Sequence, residues 1–352
     1  MRRGGALAAF ALAVAAVLVT AVLIGRDGGD GASAGNGRAE ATDDAPAAVQ
    51  IERPPIDLGK GLLRVPNETA AWLDRQGRKA DPAVRKRIGA QPDAFWLVGD
   101  PKPDRLLGRL IKLARTKDRT LQLVLYNIPE RNDPAGGGGA SDAAAYAKWV
   151  EKISADLGDT RAIVVIEPDA LRFTDRLAPK DPARAERMDS LRLAVATLVE
   201  RNPRARVYVD AGTASGPGSV VPARMAELLT DVGVSDSVGF AVNVAGYSPD
   251  PEATAYARKI RNALIDRHGL SDPRYVVDTG RNGNPVWDYE RCNPPGRLLG
   301  RPPELVEDPD GLDLLLWIKP PATSDGDCGI APGSRGGEFL PDEAIRMSHD
   351  RP

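Results

Sequence analysis

The sequence predicts an α/β domain in which parallel strands, each followed by a helix, close into a barrel. Three observations carry this expectation. From Gly61 onward, short apolar runs alternate with helical stretches. The apolar runs are rich in β-branched residues and hydrophobic on both faces, as buried parallel strands must be. Seven or eight such units fit within a chain of 352 residues, the number at which a sheet of this kind curls round on itself. An open, doubly wound sheet is the alternative. Its nucleotide-binding version is weakened because no glycine-rich phosphate loop follows the first strand.

The elements follow in order. Arg2 and Arg3 precede an apolar run over 6–24, broken only by Thr20 and long enough to span a bilayer. Residues 1–26 are therefore read as a membrane anchor or a signal, with Ala32-Ser33-Ala34 as a candidate cleavage site. Either reading exports the rest of the chain, secreted or tethered to the cell membrane. Residues 27–55, rich in Gly, Ala, Asp and Ser, read as a flexible linker. The domain proper spans 56–352. Its strands are expected at 62–65, 94–98, 121–128, 162–166, 206–209, 238–244, 275–278 and 312–318, with helices at 104–115, 143–157, 183–201 and 251–268.

Composition narrows the chemistry. With 47 basic and 49 acidic residues the net charge is −2, and no basic run is present to track phosphates, so nucleic acid is not an expected partner. The two histidines, His268 and His349, stand beside no nucleophile or ligand cluster. That makes Ser-His-Asp catalysis and histidine-rich metal sites improbable, and no metal or organic cofactor is expected. Acid–base chemistry therefore falls to Asp and Glu. The cysteines, Cys292 and Cys328, form no zinc pattern. In an exported chain a disulfide is the natural reading, two separate buried thiols the other. Membrane contact is expected only through the N-terminal segment, and a monomer is expected.

Polar residues end the strands: Tyr126-Asn127, Glu167-Pro168-Asp169, Asp210-Ala211-Gly212, Asn243, Asp278-Thr279-Gly280-Arg281 and Lys319-Pro320. In a parallel barrel these ends converge on the face that holds the active site. One such Asp is adequately explained as a helix cap. Five or six in register are not.

At these residues the chain resembles glycoside hydrolase family 6, secreted cellulases that include endoglucanases and cellobiohydrolases. The resemblance rests on Leu125-Tyr126-Asn127-Ile128-Pro129-Glu130-Arg131, Val165-Ile166-Glu167-Pro168-Asp169-Ala170-Leu171 and Val207-Tyr208-Val209-Asp210-Ala211-Gly212. The segments Gly239 to Tyr247, Asp278 to Gly283, Cys292-Asn293-Pro294, Leu316-Trp317-Ile318-Lys319-Pro320 and Ser324-Asp325-Gly326 follow in the family order. It implies a distorted, TIM-like (β/α) barrel of about seven parallel strands that hydrolyses β-1,4-glucosidic bonds with inversion, using two carboxyl groups spaced to admit a water. It implies Asp169 as general acid, Asp325 as the group that activates water directly or through a second water, and Asp210 as a supporting carboxylate. Tyr126 is implied to press on the sugar, Arg131 to orient carboxylates, and Asn243, Asn293 and Lys319 to bind hydroxyls. Trp72, Trp96, Trp287 and Trp317 are the available sugar platforms, with Trp96 and Trp317 equally readable as core.

The chain also departs from the family. Arg131-Asn132-Asp133 stands where the family has Arg-Asp-Cys, so the second aspartate of the site becomes Asn132. Thr213 and Gly216 replace the family's His and Trp, Arg291 replaces a Trp, and Thr323 replaces a Glu. Losing one charge stabiliser commonly costs about 2–4 kcal/mol in the transition state. An endo-acting glucanase of reduced rate, an enzyme for another β-glucan, and an inactive sugar-binding relative on the same fold all remain open. The short stretch 281–325 favours an open, endo-acting cleft over a tunnel. The run Gly136–Gly139 aligns with a mobile loop of the family, or is a plain linker.

Overall fold

A computed structural model describes residues 54–99, 101–131, 137–216, 219–284 and 292–350. The expected anchor or signal and nearly all of the expected linker lie outside these residues. Among the described residues no helix is long and apolar enough to cross a membrane.

The elements run α1 (Glu68–Gln76), α2 (Pro82–Arg87), β1 (Phe95–Leu97), α3 (Pro101–Lys117), β2 (Leu121–Leu125), α4 (Ala143–Leu157), β3 (Ala162–Ile166), α5 (Ala170–Arg176), α6 (Pro182–Arg201), β4 (Ala205–Asp210), α7 (Pro222–Asp231), β5 (Gly239–Val242), α8 (Asp250–His268), β6 (Tyr275–Asp278), β7 (Glu304–Leu305), β8 (Leu312–Leu316) and α9 (Pro341–His349). Seven strands pair in parallel in the order β1-β2-β3-β4-β5-β6-β8, and short β7 joins β8 antiparallel. The sheet curls until its edges meet, where the Ala94 N–H donates to the Trp317 carbonyl at 3.0 Å. This is the distorted barrel that the strand pattern and the resemblance predict.

The two-residue period of each strand builds two cores at once. In β3, Ala162, Val164 and Ile166 pack outward against the helices, while Ile163 and Val165 point into the barrel. The same division sends Val207 and Val209 outward and Tyr208 inward in β4, and Tyr275 and Val277 outward and Val276 inward in β6. A register shift between Tyr275 and Val276 interrupts the period opposite β8. There Asp313 turns inward to accept from the Tyr208 hydroxyl at 2.6 Å and from Arg274 Nε at 2.8 Å. The segment before the first helix closes the barrel's far end: Ile56 is buried in the interior cluster, and the Arg206 guanidinium donates to the Pro54 and Pro55 carbonyls.

Some boundaries differ from expectation for visible reasons. Residues 62–65 form only an isolated parallel bridge, Leu62 to Thr120, because Gly59 and Gly61 turn with φ of 58° and 101° and Pro66 follows. The runs expected at 121–128 and 312–318 stop at Leu125 and Leu316 as strands. Beyond those points carboxylates replace the ladder: Glu167 accepts from the Asn127 and Ile128 N–H groups, and Asp278 from those of Ile318 and Lys319. Gly139 approaches so closely that a Cβ there would lie 1.9 Å from the Ile128 carbonyl oxygen, so the end of the glycine run lies against the segment that follows β2.

Cys292 and Cys328 are joined in a disulfide that closes 36 residues of sequence, with Cα atoms 5.8 Å apart. Replacing both by Ser is expected to lower stability by up to about 4 kcal/mol in the chain-entropy treatment. Denaturant unfolding of the two proteins checks this. An unchanged midpoint would mean that the loop is already held without the bridge.

Candidate active site

Past their last apolar residues, the interior rows continue onto polar ones: Tyr126 after Val124, Glu167 after Val165, Asp210 after Tyr208, Asn243 after Ala241 and Asp278 after Val276. A cleft of about 930 Å³ opens along this rim, lined among others by Trp96, Tyr126, Asp169, Arg172, Lys319 and Asp325.

Asp169 follows Pro168 and begins α5 in the left-handed region, with φ of 71°; Glu167 also stands at φ of 46°. Two non-glycine residues in this region cost on the order of 1–3 kcal/mol each. They are held by hydrogen bonds from both sides. Asp210 Oδ2 accepts the Asp169 N–H at 2.8 Å, and Glu167 takes two N–H groups of the β2 end at 3.0 Å. The Asp169 carboxyl is 36% exposed at the cleft wall. Burial raises its pKa, the charges of Arg172 and Arg176 draw it down, and the charge of Asp325 adds a smaller lift. Asp210 is nearly enclosed, and burial with the adjacent Asp169 charge pushes it up to about 7. Its Oδ1 is buried with no hydrogen-bond partner among the described residues.

Asp325, 15% exposed on the same cleft, has the opposite environment. The Tyr247 hydroxyl donates to Oδ2 at 2.6 Å, Arg281 Nη1 lies 3.0 Å from both oxygens, and the Asn293 N–H donates to Oδ2 at 3.2 Å. Lys319 Nζ stands 3.4 Å from Oδ1. Burial alone would lift this carboxyl, but Arg281, Lys319 and these hydrogen bonds hold it down at about 2. One carboxyl of the cleft is thus biased towards its proton and the other is fixed as an anion, the division acid-catalysed transfer to water requires.

The model for glycosyl hydrolases family 6 matches residues 64–339. The chain belongs to that family. It is a glycoside hydrolase. Endoglucanase 1 of Streptomyces halstedii is 38% identical over 301 residues, spanning 83% of this chain and 90% of that protein. Endoglucanase 1 of Streptomyces sp. strain KSM-9 is 35% identical over 293 residues, 82% of this chain and 77% of its own. The structure superposes with a TM-score of 0.74 on a Mycobacterium tuberculosis endoglucanase solved in complex with methyl-cellobiosyl-4-deoxy-4-thio-β-D-cellobioside. That protein is 32% identical, and the match covers 84% of this chain and 99% of that one.

Within this family 6 cleft, not every expected contact survives. Asn243 is fully buried and its amide is consumed internally: Oδ1 accepts the Ser248 N–H, and Nδ2 donates to the Ser248 and Asp278 carbonyls. Asn293 likewise spends its side chain on the Asp325 N–H and the Gly326 carbonyl, so it orients Asp325 and its amide is engaged within the protein. Arg131 lines the cleft, but its Nη1 grips the Val98 and Tyr126 carbonyls where a carboxylate was expected. Trp72 packs on Phe339 with ring centres 5.7 Å apart, against a satellite core, and is not among the residues that line the cleft. Trp317 is core. Trp96 does face the cleft, its indole N–H donating to the Ile318 carbonyl at 2.8 Å and its ring 5.7 Å from Lys319 Nζ. It meets Tyr126 edge-on at 5.3 Å. Thr323 lines the cleft but donates its hydroxyl to the Pro320 carbonyl. Asn132, Asp133, Trp287 and Arg291 lie outside the described residues.

Four further residues matter. Arg281 and Tyr247 stood inside quoted motifs, and their roles emerge only once folding brings them to Asp325. Glu167 and Asp278 hold the rim as described. Among the described residues no group of three or more His, Cys, Asp or Glu side chains is gathered as a metal ion would need.

The pKa shifts give stability a definite pH dependence. Asp93, Glu167 and Asp210 are each raised to about 7, burial being the largest cause. Unfolded carboxyls titrate near about 4, so the folded state holds these protons more tightly. Their contribution is complete below about pH 4 and lost as pH rises through about 7. Asp325 acts in the other direction, its contribution being lost as pH falls from about 4 towards about 2. The unfolding temperature is expected to peak near about pH 4–5 and to fall by about pH 8. Asp210→Asn, which still accepts the Asp169 N–H, should flatten the alkaline fall. A wild-type profile level from about pH 5 to about pH 8 would contradict the burial argument.

Proposed function

We propose that this protein is an endo-acting, inverting β-1,4-glucanase, exported and acting on cellulose or a related β-glucan. One observation carries the reading: Asp169 and Asp325 face a single open cleft in opposite electrostatic settings. Asp169 donates its proton to the glycosidic oxygen as the C1–O bond breaks. A glucan lying over it would remove more water and favour the protonated form further. A water on the opposite sugar face attacks C1 and gives up its proton towards Asp325. A carboxylate held at about 2 is a weak base, but positive charge on the oxocarbenium-like sugar makes the attacking water acidic as the new bond forms. Asp210 carries a proton or a charge as Asp169 demands, being the buried carboxyl bonded to the acid's own backbone N–H. Trp96 and Tyr126 offer ring surface to the apolar faces of sugar units.

Endo action is supported by the names of the relatives at 38% and 35% identity and by the short chain between Arg281 and Asp325. Export is supported by the arginine-flanked apolar run at 6–24.

Asp169→Asn should lower kcat on a soluble β-glucan by about 10²–10⁴ with the fold intact, measured as reducing-sugar release. Equal release from the two proteins would remove Asp169 from the mechanism. Inversion is read separately, by following the first product by NMR. The α anomer is expected to appear first, and an initial β anomer refutes inversion.

A further inference from the structure

Asp169 has charged or titratable neighbours on four sides. β4 brings Asp210, the loop after β8 brings Asp325, the end of β2 brings Tyr126, and α5 brings Arg172 and Arg176. Arg172 differs from the others in its geometry. It stands three residues after Asp169 on the first turn of α5, so helix geometry fixes the two side chains as neighbours. Its Nε lies 2.9 Å from Asp169 Oδ1, and both residues line the cleft. Yet that nitrogen is buried and makes no aligned hydrogen bond among the described residues. The side chain is only 20% exposed, and its guanidinium carbon lies 4.8 Å from the Phe173 ring centre, which steadies it. A buried N–H at contact distance from an oxygen, without alignment, is an unfavourable arrangement that improves when negative charge appears on that oxygen.

Resting on the reading of Asp169 as general acid, we propose that Arg172 is a positioning residue for that acid, with an Nε–H idle in the resting cleft that closes a charge-assisted hydrogen bond on Oδ1 as the proton leaves. The Asp169 proton passes to the glycosidic oxygen, and the electron pair of the breaking C1–O bond goes to that oxygen. Asp169 is left as a carboxylate. A small rotation of either side chain then aligns the N–H with the new charge. The interaction is stronger in the transition state than in the ground state, the condition for raising kcat rather than tightening substrate binding. The same positive charge lets Asp169 ionise at lower pH than burial alone would set.

The test compares the full-length wild type with Arg172→Met and Arg172→Lys on two substrates over about pH 4 to about pH 9. One substrate is a neutral soluble β-glucan, whose leaving group needs a proton. The other is a dinitrophenyl cello-oligoside, whose leaving group does not. Arg172→Met should move the alkaline limb of kcat on the glucan upward by about 1 pH unit, because Asp169 keeps its proton longer. Its plateau kcat on the glucan should fall about tenfold, with KM within about twofold and the dinitrophenyl rate nearly unchanged. Arg172→Lys, which keeps the charge without the fixed N–H, should hold the limb near its wild-type position. An unmoved limb in Arg172→Met, or equal losses on the two substrates, overturns the proposal. The acid assignment survives that outcome provided Asp169→Asn loses activity on the glucan but little on the dinitrophenyl substrate. An Asp169→Asn variant as active as wild type on the glucan removes the assignment and the proposal together.

Discussion

The architecture of the cleft depends on buried carboxylates that take over where the sheet's own ladder stops. A parallel strand that ends inside a domain leaves backbone donors facing a low-dielectric rim, and unpaired they would each be costly. Asp278 accepts from four of them, on Ala245, Gly280, Ile318 and Lys319, and so ties the loops after β5, β6 and β8 to one point. Glu167 does the same for the end of β2. These anchors leave Tyr126 and Lys319 fixed at the cleft rather than on loose loops. Asp169 and Asp325 stand beside these anchors and are set mainly by burial and by neighbouring charge.

That setting is asymmetric around the rim. On the β3–β4 side, Asp169 and Asp210 are joined through one backbone hydrogen bond and raised together by burial. On the β6–β8 side, Asp325 is surrounded by Arg281, Lys319 and Tyr247, with Arg281 also stacked 4.6 Å from the Tyr247 ring centre. Arg281 is itself buried, so its charge and that of Asp325 are each the condition for the other's burial. Proton-holding and proton-shedding environments therefore come from different strands and different loops, and one can change without the other.

The fold was largely legible because strand burial on both faces leaves a plain record: Ala162 to Ile166 is apolar throughout, and β1 to β5 are each followed by a helix. The first expected strand shrank to a single bridge because two glycines with positive φ turn the chain just before it and Pro66 follows it, limits that apolar content alone conceals. At the site, sequence order placed the acidic strand ends correctly but not the partners of every side chain. Asn243 and Asn293 sit in the motifs as hydroxyl binders would, yet both are bound internally, and only hydrogen-bond geometry distinguishes the two. Trp72 lies near the cleft in sequence terms, and its ring instead meets Phe339, which is 267 residues later in the chain.

The substitutions that distinguish this chain take on a different weight once the surroundings of Asp169 are known. An aspartate beside the acid would raise its pKa, and Asn132 in the corresponding sequence position supplies no such charge. Arg172 and Arg176 pull the same way, towards an acid that ionises more readily. Burial and the charge of Asp325 pull the other way. An acid balanced between such opposed influences responds strongly to any change of water at the cleft, because desolvation is the largest influence on it and also the one a bound sugar chain alters most directly. With Asp169 in its proposed role as the acid, a glucan covering it would favour the proton and an empty cleft would favour its loss, so the opposed charges around Asp169 would tie its protonation to substrate occupancy.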